Sequence, residues 1–588
     1  MVELTEALKR EIGQHFVFGF HGHEVSDDIT VLIRDYHLGN VILMKRNVQS
    51  AEQTHGMIQK LQKIAKDAGH EQPLMIGIDQ ENGEIIIGLT ASLDILYSTT
   101  GLVSAFSNAT TQAAGTQFPG AMALAATGSA ELTERVSAAS GRELKLAGIN
   151  WAYSPVADVN SDSRNPVIGV RSFGDDPRKV GEYVAAVCRG LTTAGVAPSA
   201  KHFPGHGDTH VDSHVALPVI PKTRVELEKT ELVPFRTVVD HTASIMTGHM
   251  ALPQVTGDDT PASLAREVTH GVLRESLGYK GVIVTDCLEM EAVAAREGGV
   301  PRAAVDALRA GADVVMVCHQ FARHKGSLEA AYEAIKNGEI NSTELQESGR
   351  RIEAMKERFV GGWVEVLGSS FDKAAWARLK EENMTLSRQA YAQSVALVHD
   401  PRSVVPLPKE GKVIVLTPVM ESLNLAVDDA EGVLRTGDGK LRNTAGPSYL
   451  SFAQYVRELV GGDVIHLVYQ TSDWLTVSQE TDVHQANAVV FVTRNADRSV
   501  WQRQFLAQVL RARTKQGMPE NVVVLASCAP YDLIDVGDEG ALLRGVGYVA
   551  SFEFTVPALT AAARVIFGEE QAKGHVPVCR GLVVGASA

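Results

Sequence analysis

The sequence predicts an α/β protein with an N-terminal TIM-type (β/α)8 barrel, followed by a smaller α/β (αβα) sandwich domain. Between residues 1 and 360, eight short apolar runs alternate with longer amphipathic stretches. Several of these runs end in a charged or histidine side chain, as expected at the C-terminal ends of barrel strands. An open, doubly wound sheet is the alternative that the same alternation allows.

The predicted barrel strands are short and lie next to longer helical patterns. The eight strands are 15–20, 40–44, 74–79, 150–158, 198–202, 244–249, 281–286 and 313–318. Helical stretches between them include 51–68, 130–147, 177–194, 224–241 and 300–310. Eight β–α units in one domain is the number found in a TIM barrel.

A second α/β pattern follows a glycine-containing break. We predict a barrel domain at 1–360, a linker at 361–384 and a C-terminal domain at 385–588. Strands predicted at 412–417, 463–469, 488–493, 521–525 and 546–550 suggest a smaller parallel sheet with helices on both faces. This second domain shows no recognisable catalytic set, so we predict a structural or subunit-contact role.

Composition narrows the classes of partner. A net charge of −15 argues against a nucleic-acid partner. Because no apolar run approaches 20 residues and the opening lacks a signal-peptide core, we predict no membrane span and a cytoplasmic location.

The cysteines show no metal-binding spacing and are expected to be reduced and buried. They are Cys188, Cys287, Cys318, Cys528 and Cys579.

The segment 201–214 concentrates titratable side chains in what we predict to be a loop after the fifth strand. Histidines occur at every fourth position, which on a helix would form a metal-binding face. Pro204, Gly205 and Gly207 argue against a continuous helix, so no metal site is predicted here. The four histidines are His202, His206, His210 and His214.

Two carboxylates in this part of the chain each allow two interpretations. Asp212 stands two positions before His214, where it can fix the imidazole tautomer and raise its basicity, although such pairs are also structural. Asp286 ends the apolar strand 281–286. It can cap the following helix, or it can act as a nucleophile at the mouth of a barrel.

Five motifs stand together in the first 290 residues. They are Lys201 to Thr209 with Asp212-Ser-His214, Ile78-Asp-Gln-Glu81, Phe118-Pro-Gly-Ala-Met-Ala, 165–174 and Asp286. Taken together, these motifs resemble the β-N-acetylglucosaminidases of glycoside hydrolase family 3. The resemblance implies that Asp286 is the nucleophile and that His214 is the general acid/base with Asp212 as its partner. It also implies that the terminal sugar is bound by Asp79, Arg171, Lys201 and His202.

The resemblance implies a retaining exo-β-N-acetylglucosaminidase that acts on small glycans such as chitooligosaccharides. It implies no metal and no organic cofactor. A β-N-acetylglucosaminide phosphorylase and an inactive sugar-binding protein are the alternatives. Chitin-derived and peptidoglycan-derived substrates both stay open, and a homo-oligomer is compatible with the sequence.

The chain departs from the family pattern after Gly83. Removing 84–101 joins Asp-Gln-Glu-Asn-Gly to Leu102, which restores the family spacing. We therefore interpret 84–101 as an insertion, either a retained intron or a gene-prediction error, with a genuine lid loop as the alternative. After this realignment, Ala105 stands where many relatives carry a substrate-binding arginine.

Overall fold

The structure is a computed structural model that describes residues 3–83, 115–209, 217–419, 445–471, 474–515, 518–533 and 545–579. The suspected insertion 84–101, together with Ala105, Asp212 and His214, lies outside these ranges. The chain divides into two compact units. The first contains Met1–Phe106, Thr111–Thr116 and Thr133–Asn383, and the second contains Ser107–Thr110, Gln117–Leu132 and Met384–Ala588.

The first unit is built on a closed barrel of eight parallel strands in the order β1 to β8. This confirms the predicted barrel and excludes an open sheet for this unit. All eight strands fall at or within one residue of the predicted apolar runs. They are β1 Phe16–Phe18, β2 Asn40–Leu43, β3 Met75–Ile78, β4 Trp151–Ala152, β5 Ala197–Phe203, β6 Ser244–Thr247, β7 Val282–Cys287 and β8 Val314–Val317.

Helices follow most of the barrel strands. They are α1 Glu6–Gln14, α2 Asp27–Asp35, α3 Ala51–Asp67, α5 Ala130–Leu146, α6 Pro177–Thr193, α7 Arg224–Lys229, α8 Leu232–Val238, α9 Pro253–Thr256, α10 Glu291–Ala294, α11 Gly299–Ala310, α12 Phe321–Lys336, α13 Ser342–Phe359, α14 Trp363–Gly368 and α15 Lys373–Ser394. A π-helix spans Glu267–Ser276, and 3-10 turns span Lys45–Asn47, Gly169–Arg171 and Ala262–Leu264. Within the described ranges, no helix is long and apolar enough to cross a membrane.

The predicted helix 224–241 is two helices, α7 and α8, and the single-helix prediction is wrong. The chain leaves helical geometry at Thr230, whose φ is −129° and ψ is −80°. Pro234 then lies in the first turn of α8. A proline is tolerated in a first turn because its missing N–H would have no helical acceptor there, whereas the same residue inside one long helix would break it.

Aromatic and aliphatic side chains fill the barrel interior. Trp151 is fully buried and donates from its indole nitrogen to Ser244 Oγ at 2.8 Å, which ties β4 to β6 across the barrel. Gly77 on β3 faces Tyr153, since an added Cβ would lie 2.5 Å from the tyrosine hydroxyl. The interior is therefore a packed core and leaves the strand ends as the place for polar chemistry.

At the N-terminal end of the barrel strands, Asp313 links β7, β8 and α13 through hydrogen bonds and ion pairs. Its fully buried carboxylate accepts from Arg274 Nη2 at 2.7 Å and from Arg351 Nη2 at 2.7 Å. The same carboxylate also accepts from the Ile283 amide and the Ser348 hydroxyl, each at 2.7 Å. Removing this one side chain would leave two arginines facing a buried gap.

We expect Asp313→Ala to destabilise the barrel by about 3–5 kcal/mol, the usual cost of breaking a buried ion pair by removing one partner. Urea unfolding followed by tryptophan fluorescence measures the change. Asp306→Ala is the matched control. It removes a partly exposed carboxylate that pairs with Arg302, and about 0–1 kcal/mol is expected. Equal losses in the two variants would contradict the assignment of Asp313 as the fastening residue.

The second unit contains a six-stranded sheet in the order β11-β10-β12-β15-β16-β9. Five of its strands match the predicted runs and are parallel, but β9 pairs antiparallel with β16, so the prediction of an all-parallel sheet is wrong. The strands are β9 Ala396–His399, β10 Val413–Pro418, β11 Val464–Tyr469, β12 Ala488–Thr493, β15 Val522–Ala526 and β16 Gly547–Ala550, with a separate ladder of β13 Thr514–Lys515 and β14 Met518–Pro519.

Helices of the second unit are α4 Ala121–Ala126, α16 Pro447–Val460, α17 Val477–Gln485, α18 Val500–Arg513 and Val556–Ile566, here α19. The segment around α4 follows β3 in the chain, yet it clusters with this unit. Ala126 accepts from the His575 amide at 2.8 Å.

Cys528 is buried as predicted, whereas Cys579 is exposed, so the prediction of buried thiols is wrong for Cys579.

Candidate active site

Polar side chains meet at the C-terminal ends of the barrel strands. Asp79 follows β3, Lys201 and His202 lie at the end of β5, and Asp286 lies at the end of β7. Arg171 joins them from the 3-10 turn that follows β4. Because parallel strands of a barrel end on one face, residues far apart in sequence converge here.

Lys201 is shared by two carboxylates. Its buried ammonium lies 2.5 Å from Asp79 Oδ1 and 2.7 Å from Glu81 Oε1. Burial alone would lower the pKa of Lys201, but these two carboxylates hold it above its ordinary value. Burial raises the pKa of Asp79, and the negative charges of Glu81 and Asp286 add to this effect against the opposing lysine.

Glu81 connects the lysine to Arg171. Its two oxygens accept from Arg171 Nε and Nη2, each at 2.8 Å, in a bidentate pair. Burial opposes the charge of Glu81, but Arg171 and Lys201 outweigh it and depress the pKa of the carboxyl. No site role was predicted for Glu81, although it stands in the quoted Asp-Gln-Glu motif, which was the available signal.

Asp158 orients the imidazole of His202. The fully buried carboxylate lies 2.7 Å from His202 Nδ1 and accepts from the His206 amide at 2.7 Å. Burial alone would raise the pKa of Asp158, but the facing histidine lowers it. With Nδ1 held in this way, the opposite nitrogen of His202 lies 3.5 Å from Arg171 Nη2 and faces the polar cluster. Asp158 is the last residue of the predicted strand 150–158, but its partner could not be predicted from the sequence.

Asp286 is half-buried and sits among donors and imidazoles. The Cys287 amide donates to its Oδ1 at 2.7 Å. Burial works against ionisation, but His202, His249, this amide and Lys201 hold the pKa of Asp286 below its ordinary value. The carboxylate is therefore negatively charged near neutral pH, which is the state that a nucleophile requires.

His249 lies two residues beyond the end of β6, close enough to Asp286 to influence its charge. Its ring nitrogens lie 2.8 Å from Ser263 Oγ and 2.9 Å from the Cys287 carbonyl oxygen. These two contacts fix the ring orientation beside the strand that carries Asp286. His249 is the last residue of the predicted strand 244–249, and nothing in the sequence links it to Asp286.

Glycine is required at two positions of the segment 201–209 because of the local backbone geometry. A Cβ on Gly207 would lie 1.6 Å from the Val159 carbonyl oxygen, so only glycine fits this close approach. Gly205 has a φ of +129°, which an L side chain rarely adopts. The chain is a strand to Phe203 and then a loop, as predicted.

The metal-binding interpretation of the four histidines is not supported at the two that the structure describes. His202 Nδ1 pairs with Asp158, whereas His206 Nδ1 lies 3.0 Å from Thr209 Oγ1, so the two rings are held by different partners. No helix spans this described part of the segment. His210 and His214 lie outside the described residues.

The structure brings together Asp79, Arg171, Lys201, His202 and Asp286, five of the seven residues that sequence comparison selected. Their catalytic and binding roles stay predictions. Asp212 and His214 lie outside the described residues. The geometry places the Asp286 carboxylate, whose pKa its neighbours lower, opposite fixed hydrogen-bonding groups, an arrangement able to attack and orient a polar substrate.

The burial of His206 predicts that the folded protein loses stability as the pH falls. Burial lowers its pKa from 6.5 to about 4. The unfolded chain therefore takes up a proton near pH 6.5, which the folded chain resists until about pH 4, so stability is present above 6.5 and lost as pH falls. We expect His206 to account for a loss of about 2 kcal/mol between pH 7 and pH 5.

Urea unfolding at both pH values measures this loss, and His206→Asn should remove it from the pH dependence even if the variant is less stable overall. His241→Gln is the control, because it removes an exposed imidazole without opening a buried site. An unchanged pH dependence in His206→Asn would contradict the prediction.

Comparison with known proteins agrees with this geometry. Residues 99–355 match the glycosyl hydrolase family 3 N terminal domain. The chain is 27% identical to β-hexosaminidase A of Pseudoalteromonas piscicida over 94% of this chain and 90% of that protein. It is 32% identical to a β-hexosaminidase of Alkalilimnicola ehrlichii over 52% of this chain and 80% of that protein.

Solved structures point the same way. A glycoside hydrolase family 3 β-N-acetylglucosaminidase from Paenibacillus sp. is 30% identical, with a TM-score of 0.78, and the match covers 99% of this chain and all of that one. A fungal multi-domain family 3 β-N-acetylglucosaminidase is 32% identical with a TM-score of 0.82, and this chain spans 60% of its length. The chain therefore belongs to glycosyl hydrolase family 3 and is a glycoside hydrolase.

Proposed function

We propose that the protein is a retaining exo-β-N-acetylglucosaminidase that hydrolyses terminal β-linked N-acetylglucosamine from small glycans such as chitooligosaccharides. The observation that carries this proposal is Asp286, an ionised carboxylate at the barrel mouth facing the cluster of Asp79, Lys201 and His202. Names of relatives support the substrate class, since several are β-hexosaminidases or β-N-acetylglucosaminidases. A chitin-derived substrate and a cytoplasmic location stay predictions.

The proposed reaction proceeds by two displacements. Asp286 attacks the anomeric carbon and forms a glycosyl ester, while the bond to the departing oxygen breaks and His214 supplies its proton. Water then attacks the same carbon, gives its proton to His214 and releases Asp286. The two inversions together retain the β configuration. Asp212 would hold the His214 imidazole in the orientation that this exchange needs.

The sugar is proposed to lie against the polar cluster. Asp79 would accept hydrogen bonds from hydroxyl groups, and Lys201, Arg171 and His202 would donate to hydroxyl and N-acetyl oxygens. Charge-assisted bonds of this kind are about twice as strong as neutral ones. Because Glu81 already fixes Arg171 and Lys201, little ordering is left to be done when the sugar binds. Glu81 is thus a positioning residue.

Replacing the nucleophile tests the mechanism. Asp286→Ala should lower kcat on 4-nitrophenyl β-N-acetylglucosaminide by a factor on the order of 10⁴–10⁶, as for loss of a triad residue in other hydrolases. Azide should restore turnover by filling the space of the missing carboxylate, giving the α-glycosyl azide. Asp240→Asn, an exposed carboxylate in the same unit, should leave kcat unchanged.

Two outcomes would overturn this assignment. Asp286→Ala with substantial activity would remove it as the nucleophile, and release of the α-anomer by the unmodified enzyme would exclude retention. Reactions run in phosphate buffer should give free N-acetylglucosamine. A sugar 1-phosphate would instead assign the protein as a phosphorylase.

The segment 84–101 is proposed to be an insertion that does not belong to the functional site. The family match begins at residue 99, although β1 to β3, which precede it, belong to the same closed barrel. An interruption after Gly83 accounts for a match that starts so late. The late start of the match therefore supports the insertion.

We expect a version lacking 84–101 to hydrolyse 4-nitrophenyl β-N-acetylglucosaminide faster than the full chain, because the segment enters directly after the Asp79–Glu81 motif. The measurement is kcat/KM for both proteins, alongside sequencing of the transcript across Gly83–Leu102. Equal activity would identify a tolerated loop, and a transcript that retains the segment at full abundance would rule out the intron.

A further inference from the structure

We propose that Cys287, Cys318 and His319 form a binding site for a thiophilic divalent metal ion of the zinc class. One ligand atom from each residue lies within 4.8 Å of the others. Cys287 ends β7, and the other two residues directly follow β8, the neighbouring strand. Two adjacent barrel strands thus bring together three side chains that show no metal-binding spacing in the sequence.

The ligand types select the metal. Two thiolates and one imidazole suit Zn²⁺ or Cd²⁺, whereas Mg²⁺ and Ca²⁺ prefer oxygen ligands. In a tetrahedral zinc site with bonds near 2.3 Å to sulfur, neighbouring ligand atoms are about 3.8 Å apart. The three groups therefore need only small rotations to enclose an ion. A water molecule can take the fourth position.

Burial and access fit such a site. Cys287 is 8% exposed and Cys318 is 1% exposed, so both sulfurs are largely shielded from water. His319 is half-buried, so part of the cluster is accessible to solvent.

Glu289 organises the backbone around the two β8 ligands. One of its oxygens accepts from the Cys318 amide at 2.9 Å and from the His319 amide at 2.6 Å. The same oxygen lies 3.9 Å from Cys287 Sγ, so it also faces the third ligand. Glu289 thus fixes the backbone that carries two of the three proposed ligands. Two thiolates would balance a divalent charge, and Glu289 is paired with Arg323 at 3.5 Å.

Occupancy of this site would inhibit the glycosidase. The Cys287 amide donates to Asp286 Oδ1 at 2.7 Å, one residue from the proposed metal ligand. Drawing the Cys287 sulfur toward a metal shifts this amide and with it the proposed nucleophile. This consequence rests on the proposed function, whereas metal binding itself does not.

Titration of the reduced, full-length protein with Cd²⁺ tests the site. Formation of cadmium–thiolate bonds gives an ultraviolet charge-transfer band that reports binding without any enzyme assay. We expect a saturable band at one equivalent. Cys318→Ser and His319→Ala should each weaken binding by about 100-fold or more, since even supporting residues of metal sites cost 10–100-fold.

Cys188→Ser is the matched control, because it removes a buried thiol of the same unit on α6 and should leave the band unchanged. No saturable band, or a band that survives in both Cys318→Ser and His319→Ala, would overturn the site. His319→Ala changes a half-buried residue and keeps the test valid if the cysteine variant fails to fold. A band with unchanged hydrolysis would overturn the inhibitory role alone.

Discussion

The proposed sugar-binding cluster depends on the two ion pairs of the Glu81 carboxylate. Its carboxylate accepts from both Arg171 and Lys201, and Lys201 in turn reaches Asp79. Each of these charged side chains would be costly to bury alone, and each is paired with an opposite charge within the cluster. The cluster therefore exists as a unit, with the donors and acceptors fixed before any substrate arrives.

Neighbouring charges also separate the pKa values of Asp79 and Asp286, the two carboxylates that are proposed to face the substrate. Burial and neighbouring negative charge raise the pKa of Asp79, whereas His202, His249 and Lys201 overcome burial to lower that of Asp286. Two carboxyl groups with pKa values pushed apart are suited to different tasks. In the proposed mechanism, Asp79 binds hydroxyl groups together with Lys201, and Asp286 attacks the anomeric carbon.

Much of the barrel followed from local sequence patterns, since each strand is an apolar run with a polar end. Apolar periodicity did not separate β9 from the end of α15, because an edge strand of four residues adds little pattern to a long helix. Partnerships within the site were harder to predict. Glu81 and Arg171 are 90 residues apart, and Asp158 and His202 are 44 apart, so only the closed barrel reveals the pairs.

The family motif at residues 201–209 contains residues with a chemical role and residues with a steric role, and the sequence alone does not distinguish them. Lys201 and His202 face the polar cluster, whereas Gly207 is there because the Val159 carbonyl leaves no room for a side chain. Steric requirements of this kind depend on a segment that is distant in sequence, so a motif alone cannot tell a steric residue from a chemical one.

A nucleophilic Asp286 becomes covalently glycosylated during turnover. The bound sugar can be detected by acid quenching of the enzyme while it hydrolyses an activated aryl β-N-acetylglucosaminide, followed by peptide mapping with mass spectrometry. We expect one N-acetylhexosamine on the peptide that contains Asp286, and on no other carboxylate. A sugar found on a different residue, or active turnover with release of the α-anomer and no modified peptide, would contradict it.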